Sequence, residues 1–193
     1  MTYDFRNVFA SISLIAFGAL IFMACQKAPQ DTADPEDPRL QQPYCNDPEA
    51  VNYNWDFPGR PDNSVCYYPT DVFAGRYQFE DTLYYSSEYI PMGTRTYTLE
   101  LEAQGRSNML LKGFCDDGKA FTMKAGRFFR ATLDSLSLAD SLMLGGQFFC
   151  STQDTLSGYI LYRSEEPEGI RIQFRQGTDT NAIFHTGTAW RLP

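Results

Sequence analysis

The sequence predicts an all-β domain over residues 71–193, an antiparallel barrel with an open β-sandwich as the alternative. Three observations predict it. Apolar residues occupy every second position in several short runs, which turns one face of each strand to a core and the other to water. Turn-forming pairs such as Asp-Gly and Gly-Gly separate these runs. The sequence shows no alternation of strand and helix patterns and no repeat of solenoid period.

The clearest alternation lies in three segments. Apolar residues recur at every second position over 76–85, interrupted only by Asp81, and the pattern returns over 96–103 and 170–175. Residues 134–144 fit either a strand or a short helical turn. Less regular strand candidates cover residues 107–114, 119–124, 126–133, 145–151, 157–163 and 186–192. About eight to ten short strands with tight connections are typical of an antiparallel barrel or sandwich.

Composition limits the class of protein and its partners. The chain has 193 residues, with 24 Asp or Glu against 16 Lys or Arg, and a formal net charge of −8. Such an acidic surface disfavours nucleic acid and anionic membranes as partners, because like charges repel. Aromatic residues make up 15% of the chain, which fits one packed globular domain rather than a disordered, collagen-like or coiled-coil chain.

Residues 1–24 are predicted to be a lipoprotein signal peptide. Residues 8–23 form an apolar run that would span only about 24 Å as a helix, less than the ~30 Å hydrocarbon core of a bilayer. That length favours a signal peptide over a permanent transmembrane anchor or a buried core helix. Met23-Ala24-Cys25 resembles a lipobox, in which signal peptidase cleaves before a lipidated cysteine. An ordinary signal peptide is the alternative.

The lipobox resemblance implies where the protein resides. Acyl chains such as palmitate on Cys25 would hold the mature protein on the outer membrane, at its periplasmic or cell-surface face, without a spanning segment. Residues 25–43 follow as a predicted disordered, acidic tether. They carry too few bulky apolar side chains to offset the entropy cost of ordering.

The number of cysteines fits an exported protein. Lipidation of Cys25 would use one of the five and leave four, enough for two disulfides in an oxidising compartment. We favour Cys45–Cys66 and Cys115–Cys150 among the three pairings that four cysteines allow. The first pair brackets a compact segment and the second joins two predicted strands. A zinc site is disfavoured, because the chain has one histidine and no C-x-x-C spacing.

Residues 44–70 are predicted to form a small disulfide-stapled segment. They are dense in Asn, Asp, Pro and Gly, which build turns, and they have too few apolar residues for a core of their own. Residues 45–54 read C-x-D-P-x-A-x-N-Y-N, and residues 62–68 read D-N-S-x-C-x-Y. This pattern resembles a cysteine-bracketed motif that recurs in exported proteins of Bacteroidota.

The same segment contains a candidate calcium site. Calcium takes six to eight oxygen ligands, and carboxylate and amide oxygens are dense here. The competing interpretation is that these side chains form Asx turns, and the spacing does not match an EF-hand loop. The candidate ligands are Asp47, Asn52, Asn54, Asp62 and Asn63.

Residues 71–193 resemble the lipocalin-like barrel of small Bacteroidota lipoproteins. The resemblance rests on the segments 73–77, 131–133, 157–163 and 187–191. It implies that the first and last strands pair and close the sheet. It also implies that a Trp–Arg pair, Trp190 and Arg191, plugs one end of the barrel.

The sequence favours a non-enzymatic protein. His185 is the only histidine, and its neighbours do not form a known catalytic motif. Paired carboxylates of the kind that glycosidases use are present, but their positions are those of solvent-facing and turn residues. These pairs are Glu100 with Glu102 and Asp116 with Asp117.

Binding is therefore the predicted role: a lipid-anchored envelope protein with a binding or accessory function, whose partners are envelope proteins or glycans. The alternatives are a carrier that holds a small apolar ligand inside the barrel and a carbohydrate-active enzyme. A filled barrel interior is favoured, because large residues such as Phe79, Phe128 or Phe129, Phe148 and Phe174 are available to fill it. The candidate binding aromatics are Trp55, Tyr84, Tyr85, Tyr89 and Trp190, since flat rings stack well on sugars, lipids and proteins.

Overall fold

The computed structural model describes residues 37–85, 90–135, 137–138, 142–143, 146–150, 154–163, 165, 168–177 and 182–193. One short α-helix, α1 (Pro69–Phe73), and two 3-10 helices, Pro38–Gln41 and Asn63–Val65, occur in these residues. The strands are β1 (Pro43–Tyr44), β2 (Arg60–Pro61), β3 (Gly75–Tyr85), β4 (Pro91–Ala103), β5 (Asn108–Lys112), β6 (Phe121–Gly126), β7 (Arg130–Leu133), β8 (Ser137–Leu138), β9 (Leu142–Met143), β10 (Gln147–Phe148), β11 (Thr155–Tyr162), β12 (Gly169–Gln176) and β13 (Ile183–Arg191). No described helix is long and apolar enough to cross a bilayer.

Eight strands form a closed antiparallel barrel in the order β11-β12-β13-β3-β4-β5-β6-β7. The first and last strands of the domain pair, with Phe79 of β3 opposite Ala189 of β13. Pairing of β7 with β11, where Ala131 lies opposite Ile160, completes the circle. The barrel prediction is thus confirmed and the open sandwich is wrong, because the β7–β11 pairing leaves no free edge there.

The barrel is closed at both ends, and the ends differ. At the helix end, where β3 begins and β13 finishes, α1 covers the opening. At the opposite end, Phe114 and Phe149 cover the interior, and we call these two residues the aromatic plug. Both predicted disulfides are confirmed: Cys115–Cys150 links the two segments that carry the plug, and Cys45–Cys66 closes the segment before α1.

Inward-facing side chains fill the barrel. The alternation read from the sequence places Tyr77, Phe79, Leu99 and Leu101 inside, all nearly inaccessible to solvent. Further buried residues come from the other strands: Met109, Leu111, Phe121, Met123, Ala131, Leu133, Leu156, Ile160, Ile170, Ile172, Phe174 and Ala189. Because the large side chains meet across a narrow barrel, the interior is a packed core.

Two interior assignments from the sequence are wrong. Phe128 is 81% exposed and Phe148 is also exposed, whereas Phe79 and Phe174 are buried as predicted. Phe129, the alternative to Phe128, is half-buried against Tyr162 and is not part of the core cluster. The error at Phe128 follows from the predicted strand 126–133. The chain instead turns over residues 127–129, which separates β6 from β7 and directs Phe128 to solvent.

The limits of other elements differ from those predicted from the sequence. β4 begins at Pro91, before the predicted 96–103, because its first half extends past the core and both its faces are exposed. Residues 134–144 include two short antiparallel strands, β8 and β9, rather than a helical turn. Residues 37–43 were predicted as tether, yet Pro38–Gln41 is a 3-10 helix and Pro43 starts β1, so the ordered chain begins before residue 44.

Candidate functional site

Arg191 closes the helix end of the barrel. Its Nη2 donates hydrogen bonds to the Val72 carbonyl at 3.0 Å and to the Tyr77 hydroxyl at 2.8 Å, and that hydroxyl donates to the Phe73 carbonyl at 2.8 Å. The expectation that Trp190 shares this role is wrong. Successive residues of a strand face opposite sides, so Trp190 lies on the outer wall, 44% exposed, with its ring over Gly169.

The disulfide-stapled segment is seated on the helix end. Arg106, between β4 and β5, donates from Nη1 to Asp47 at 2.9 Å and to Glu49 at 3.2 Å. Its guanidinium carbon lies 4.4 Å from the centre of the Tyr68 ring. Arg127, in the β6–β7 turn, donates to the Pro48 carbonyl at 2.9 Å. Two arginines from barrel turns therefore hold this segment in place.

Four of the five candidate calcium ligands bond to the segment's own main chain. Asp47 accepts from the Glu49 amide, and Asp62 accepts from the Ser64 amide; both are Asx turns. The Asn52 side chain accepts from the Tyr67 amide and donates to the Val65 carbonyl, and the Asn63 side chain accepts from the Asn46 amide.

The remaining candidate ligand, Asn54, has a left-handed backbone, with φ of 59°. The described residues contain no cluster of three Asp, Glu, His or Cys side chains that could hold a metal ion. Calcium binding stays a prediction, and the observed geometry is that of turns.

The aromatic plug is centred on Phe114. Its ring centroid lies 5.7 Å from that of Phe149, 5.8 Å from Tyr97, 5.6 Å from Phe174 and 5.1 Å from His185. All four contacts have edge-to-face geometry, which is favourable for aromatic pairs. Phe114 thus packs on inward-facing rings of β4, β12 and β13 at one end of the barrel interior.

A buried polar cluster lies beneath the plug. Asp81, which is 0% exposed, accepts through Oδ2 from the Tyr97 hydroxyl at 3.0 Å and from Arg95 Nε at 3.1 Å. The same oxygen lies 2.9 Å from His185 Nδ1. Burial acts to raise the pKa of Asp81, but its bonds to His185, Arg95 and Tyr97 outweigh burial and lower this pKa overall. The sequence marked Asp81 as a break in alternation and His185 as isolated, and did not bring them together.

A groove lies on the outer wall of the barrel and crosses β11, β12, β13 and β3. Its deeper half has a volume of about 570 Å³. The side chains that line it point outward from neighbouring strands: Tyr84, Tyr159, Gln173, Arg175, Phe184 and Thr186. Phe174 and His185 also border it, but their side chains point into the core.

The shallower half continues the groove along β12 and β13. It has a volume of about 240 Å³ and shares Tyr84, Gln173 and Thr186 with the deeper half. Arg171, Thr82 and Thr188 line the rest. We call the two halves together the outer groove; one half is mainly aromatic and the other carries hydroxyl groups and Arg171.

Contacts between lining residues orient the polar groups of the outer groove. The Tyr159 hydroxyl donates a hydrogen bond to Gln173 Oε1, which leaves the Gln173 amide nitrogen as the outward donor. The Arg130 guanidinium carbon lies 3.8 Å from the centre of the Tyr159 ring. These contacts restrict the rotamers of Tyr159 and Gln173 before any ligand arrives.

Glycine makes the close strand approach at the outer groove possible. Gly158 has φ of +133°, and a Cβ placed on it would lie 2.2 Å from the Gln173 carbonyl oxygen. A Cβ on Gly187 would lie 1.8 Å from the Glu80 carbonyl oxygen. Any side chain at these positions would push β11 from β12 or β13 from β3, and would alter the wall that carries the groove.

The predicted binding aromatics do not form one patch. Tyr84 lines the outer groove, whereas Tyr85 is exposed at the end of β3 and lines neither half of the groove. Trp55, 52% exposed, packs edge-to-face on Tyr67 in the stapled segment, and Trp190 lies at the helix end. Tyr89 lies outside the described residues. Of the four candidates that the structure describes, only Tyr84 belongs to the groove.

Sequence analysis missed most of the outer groove. Tyr159, Gln173, Phe184 and Thr186 stand at outward positions of their strands, where alternation predicts contact with water. The available signal was two bulky aromatic side chains, Tyr159 and Phe184, at solvent-facing positions. Their meeting depends on the register between strands, which no local pattern specifies.

Comparison with known proteins adds no assignment. No protein-family model matches the sequence, and the curated proteins contain no significant match. The functional argument therefore rests on the geometry of the described residues.

Proposed function

We propose that this chain is a lipid-anchored envelope protein that binds carbohydrate through the outer groove, without catalysing a reaction. The observation that carries the proposal is the composition of the groove: half-buried aromatic rings on the outer wall beside hydroxyl, amide and guanidinium groups. Sugars have apolar faces that stack on rings and hydroxyl groups that need hydrogen-bond partners. The groove offers both on a preformed, rigid wall.

The anchored location comes from the lipobox-like sequence around Cys25. Eleven residues lie between Cys25 and Asp37, where the described chain begins, so an extended tether would reach at most about 40 Å. This reach would let the barrel tilt and present its outer wall to glycans of the envelope. The two disulfides support an exported location, because disulfides persist in oxidising compartments.

The packed interior argues against the carrier alternative. Phe114 and Phe149 cover one end of an interior that is already filled by side chains, so an apolar ligand would have to displace the aromatic plug and the residues beneath it. The carboxylate pairs argue against a glycosidase. Glu102 pairs with Lys112, and Asp117 accepts the Lys119 amide in its own turn.

The binding test uses the lipidated protein extracted from membranes in mild detergent and applied to a glycan array. Tyr84→Ala and Phe184→Ala remove groove rings and are expected to weaken binding about fivefold each, since stacking on an aromatic ring contributes on the order of 1 kcal/mol. Tyr85→Ala is the matched control, because it removes an exposed ring from the adjacent position outside the groove. Retention of all binding in both groove variants would refute the proposal.

A further inference from the structure

We infer that the ligand of the outer groove is an acidic saccharide, whose carboxylate binds Arg171 while a neighbouring ring stacks on Tyr84 or Phe184. This inference rests on the proposed function and narrows it to one class of sugar. It depends on the charges that line the groove, on the partners of Arg171 and on the division of the groove into two halves.

The charge of the groove is opposite to that of the protein. The chain carries eight more acidic than basic residues. Among the described residues, no acidic side chain lines either half of the groove, whereas Arg171 and Arg175 both do. A local cationic surface on an acidic protein favours an anionic ligand.

Arg171 is available to bind an anion. It is exposed on β12, opposite Thr188 of β13 and Leu161 of β11, and no acidic side chain occupies either of these facing positions. It forms no ion pair with any residue that the structure describes. An arginine guanidinium binds carboxylates through two parallel hydrogen bonds, so it recognises them with defined geometry.

Hydroxyl and amide groups surround Arg171 on the ligand side. Thr82, Thr186 and Thr188 line the same half of the groove, and Gln173 joins it to the aromatic half. The ring of a sugar acid carries hydroxyl groups and a ring oxygen near its carboxylate. The hydroxyl groups can donate to and accept from threonine and glutamine, and the ring oxygen can accept. A fatty acid or a simple inorganic anion would leave these partners unused.

The spacing of the two halves fits a short oligosaccharide. The groove crosses from β11 to β3 over three strand intervals, or about 14 Å at the usual strand separation. Arg171 and Phe184 lie on neighbouring strands in different halves of this groove. One ligand can therefore contact the charge and an aromatic ring through different sugar units.

The test is an array that carries acidic saccharides printed beside matched neutral forms. The pairs are sialyllactose with lactose, and oligogalacturonate and a hyaluronan tetrasaccharide each with its carboxyl-reduced form. The lipidated protein is expected to bind the acidic members of the array. The Arg171→Gln variant is expected to bind them about tenfold or more weakly, because a charge-assisted bidentate contact is removed. Arg163→Gln is the control, since it removes an exposed arginine outside the groove.

Each outcome separates the inference from the proposed function. Acidic-only binding that Arg171→Gln weakens and Arg163→Gln preserves would support both. Equal binding of acidic and neutral members, weakened by Tyr84→Ala but not by Arg171→Gln, would overturn the acidic ligand and keep the carbohydrate site. Equal losses in both arginine variants would show a general charge effect and overturn the role of Arg171. Binding to no array member would overturn both.

Discussion

The two ends of the barrel are closed by different physical means. At the helix end, polar contacts dominate: Arg191 bonds to Val72 and Tyr77, and arginines in the turns hold the stapled segment. At the plug end, the rings of Phe114 and Phe149 close the barrel, and the Cys115–Cys150 disulfide joins their segments. The stapled segment at the helix end is an added layer outside the core, whereas the plug is part of the core. Substitutions at the two ends should therefore lower the free energy of unfolding of the barrel by different amounts.

The largest expected effect comes from removing the centre of the plug. Phe114→Ala would empty the site where five rings meet and is expected to destabilise the protein by about 3–5 kcal/mol. Urea unfolding followed by near-ultraviolet circular dichroism measures this change. Phe128→Ala is the control, because Phe128 is exposed in a turn at the helix end, and its free energy of unfolding should change by no more than about 0.5 kcal/mol. Equal losses in both variants would remove the proposed difference between the ends.

A smaller, pH-dependent effect is expected from the polar cluster beneath the plug. Hydrogen bonds and charges from His185, Arg95 and Tyr97 lower the pKa of Asp81 in the folded protein. The ionised carboxylate therefore stabilises the folded state above its unfolded pKa of about 3.9, and this contribution is lost as pH falls through the lower folded pKa.

Asp81→Asn tests this contribution. It is expected to cost about 1–3 kcal/mol near pH 7, and the difference from the unsubstituted protein should shrink below pH 4. Urea unfolding at pH 7, 4 and 3 measures it. A difference that stays constant or grows as pH falls would contradict the assigned role of the Asp81 carboxylate.

The smallest effect on the barrel is expected at the helix end. Removal of the Cys45–Cys66 disulfide as Cys45→Ala with Cys66→Ala should unfold the stapled segment, which has few apolar contacts of its own. The barrel should keep its free energy of unfolding within about 0.5 kcal/mol, because the inward core does not include this segment.

Limited proteolysis with sequencing of the cut sites, combined with thermal unfolding of the barrel, checks this prediction. Cleavage should concentrate in residues 44–70 while the barrel transition is retained. Loss of the barrel transition in the double variant would mean that the stapled segment is part of the cooperative core and would make the two ends equivalent.

Local pattern was sufficient for much of the fold. Alternation located the long strands β3, β12 and the inner half of β4, because burial of one face repeats every two residues. It did not locate the turn at residues 127–129, since Phe128 is apolar although it faces solvent. The disulfide pairing was favoured because one pair brackets a compact turn-rich segment and the other joins two predicted strands, and both pairs are present.

The functional site was less accessible to the same reasoning. Tyr84 was selected as one of a cluster of aromatic residues, but Arg171, Gln173 and Phe184 were not, because each alone looks like an ordinary outward residue. Trp190 was expected to plug the barrel, but its position in β13 turned it outward and left that role to Arg191. A side chain's face depends on strand register, and one residue of shift reverses it.

The sequence by itself determined the strand pattern, the two disulfides as the favoured pairing, and an acidic composition with a lipobox-like Cys25. Only the tertiary structure decided that β7 meets β11, that Asp81 meets His185, and that Arg171 shares a groove with Tyr84. The physical reason is that local patterns indicate how each residue is buried, whereas these contacts join residues far apart in the chain. Such contacts are set by the closure and register of the whole barrel.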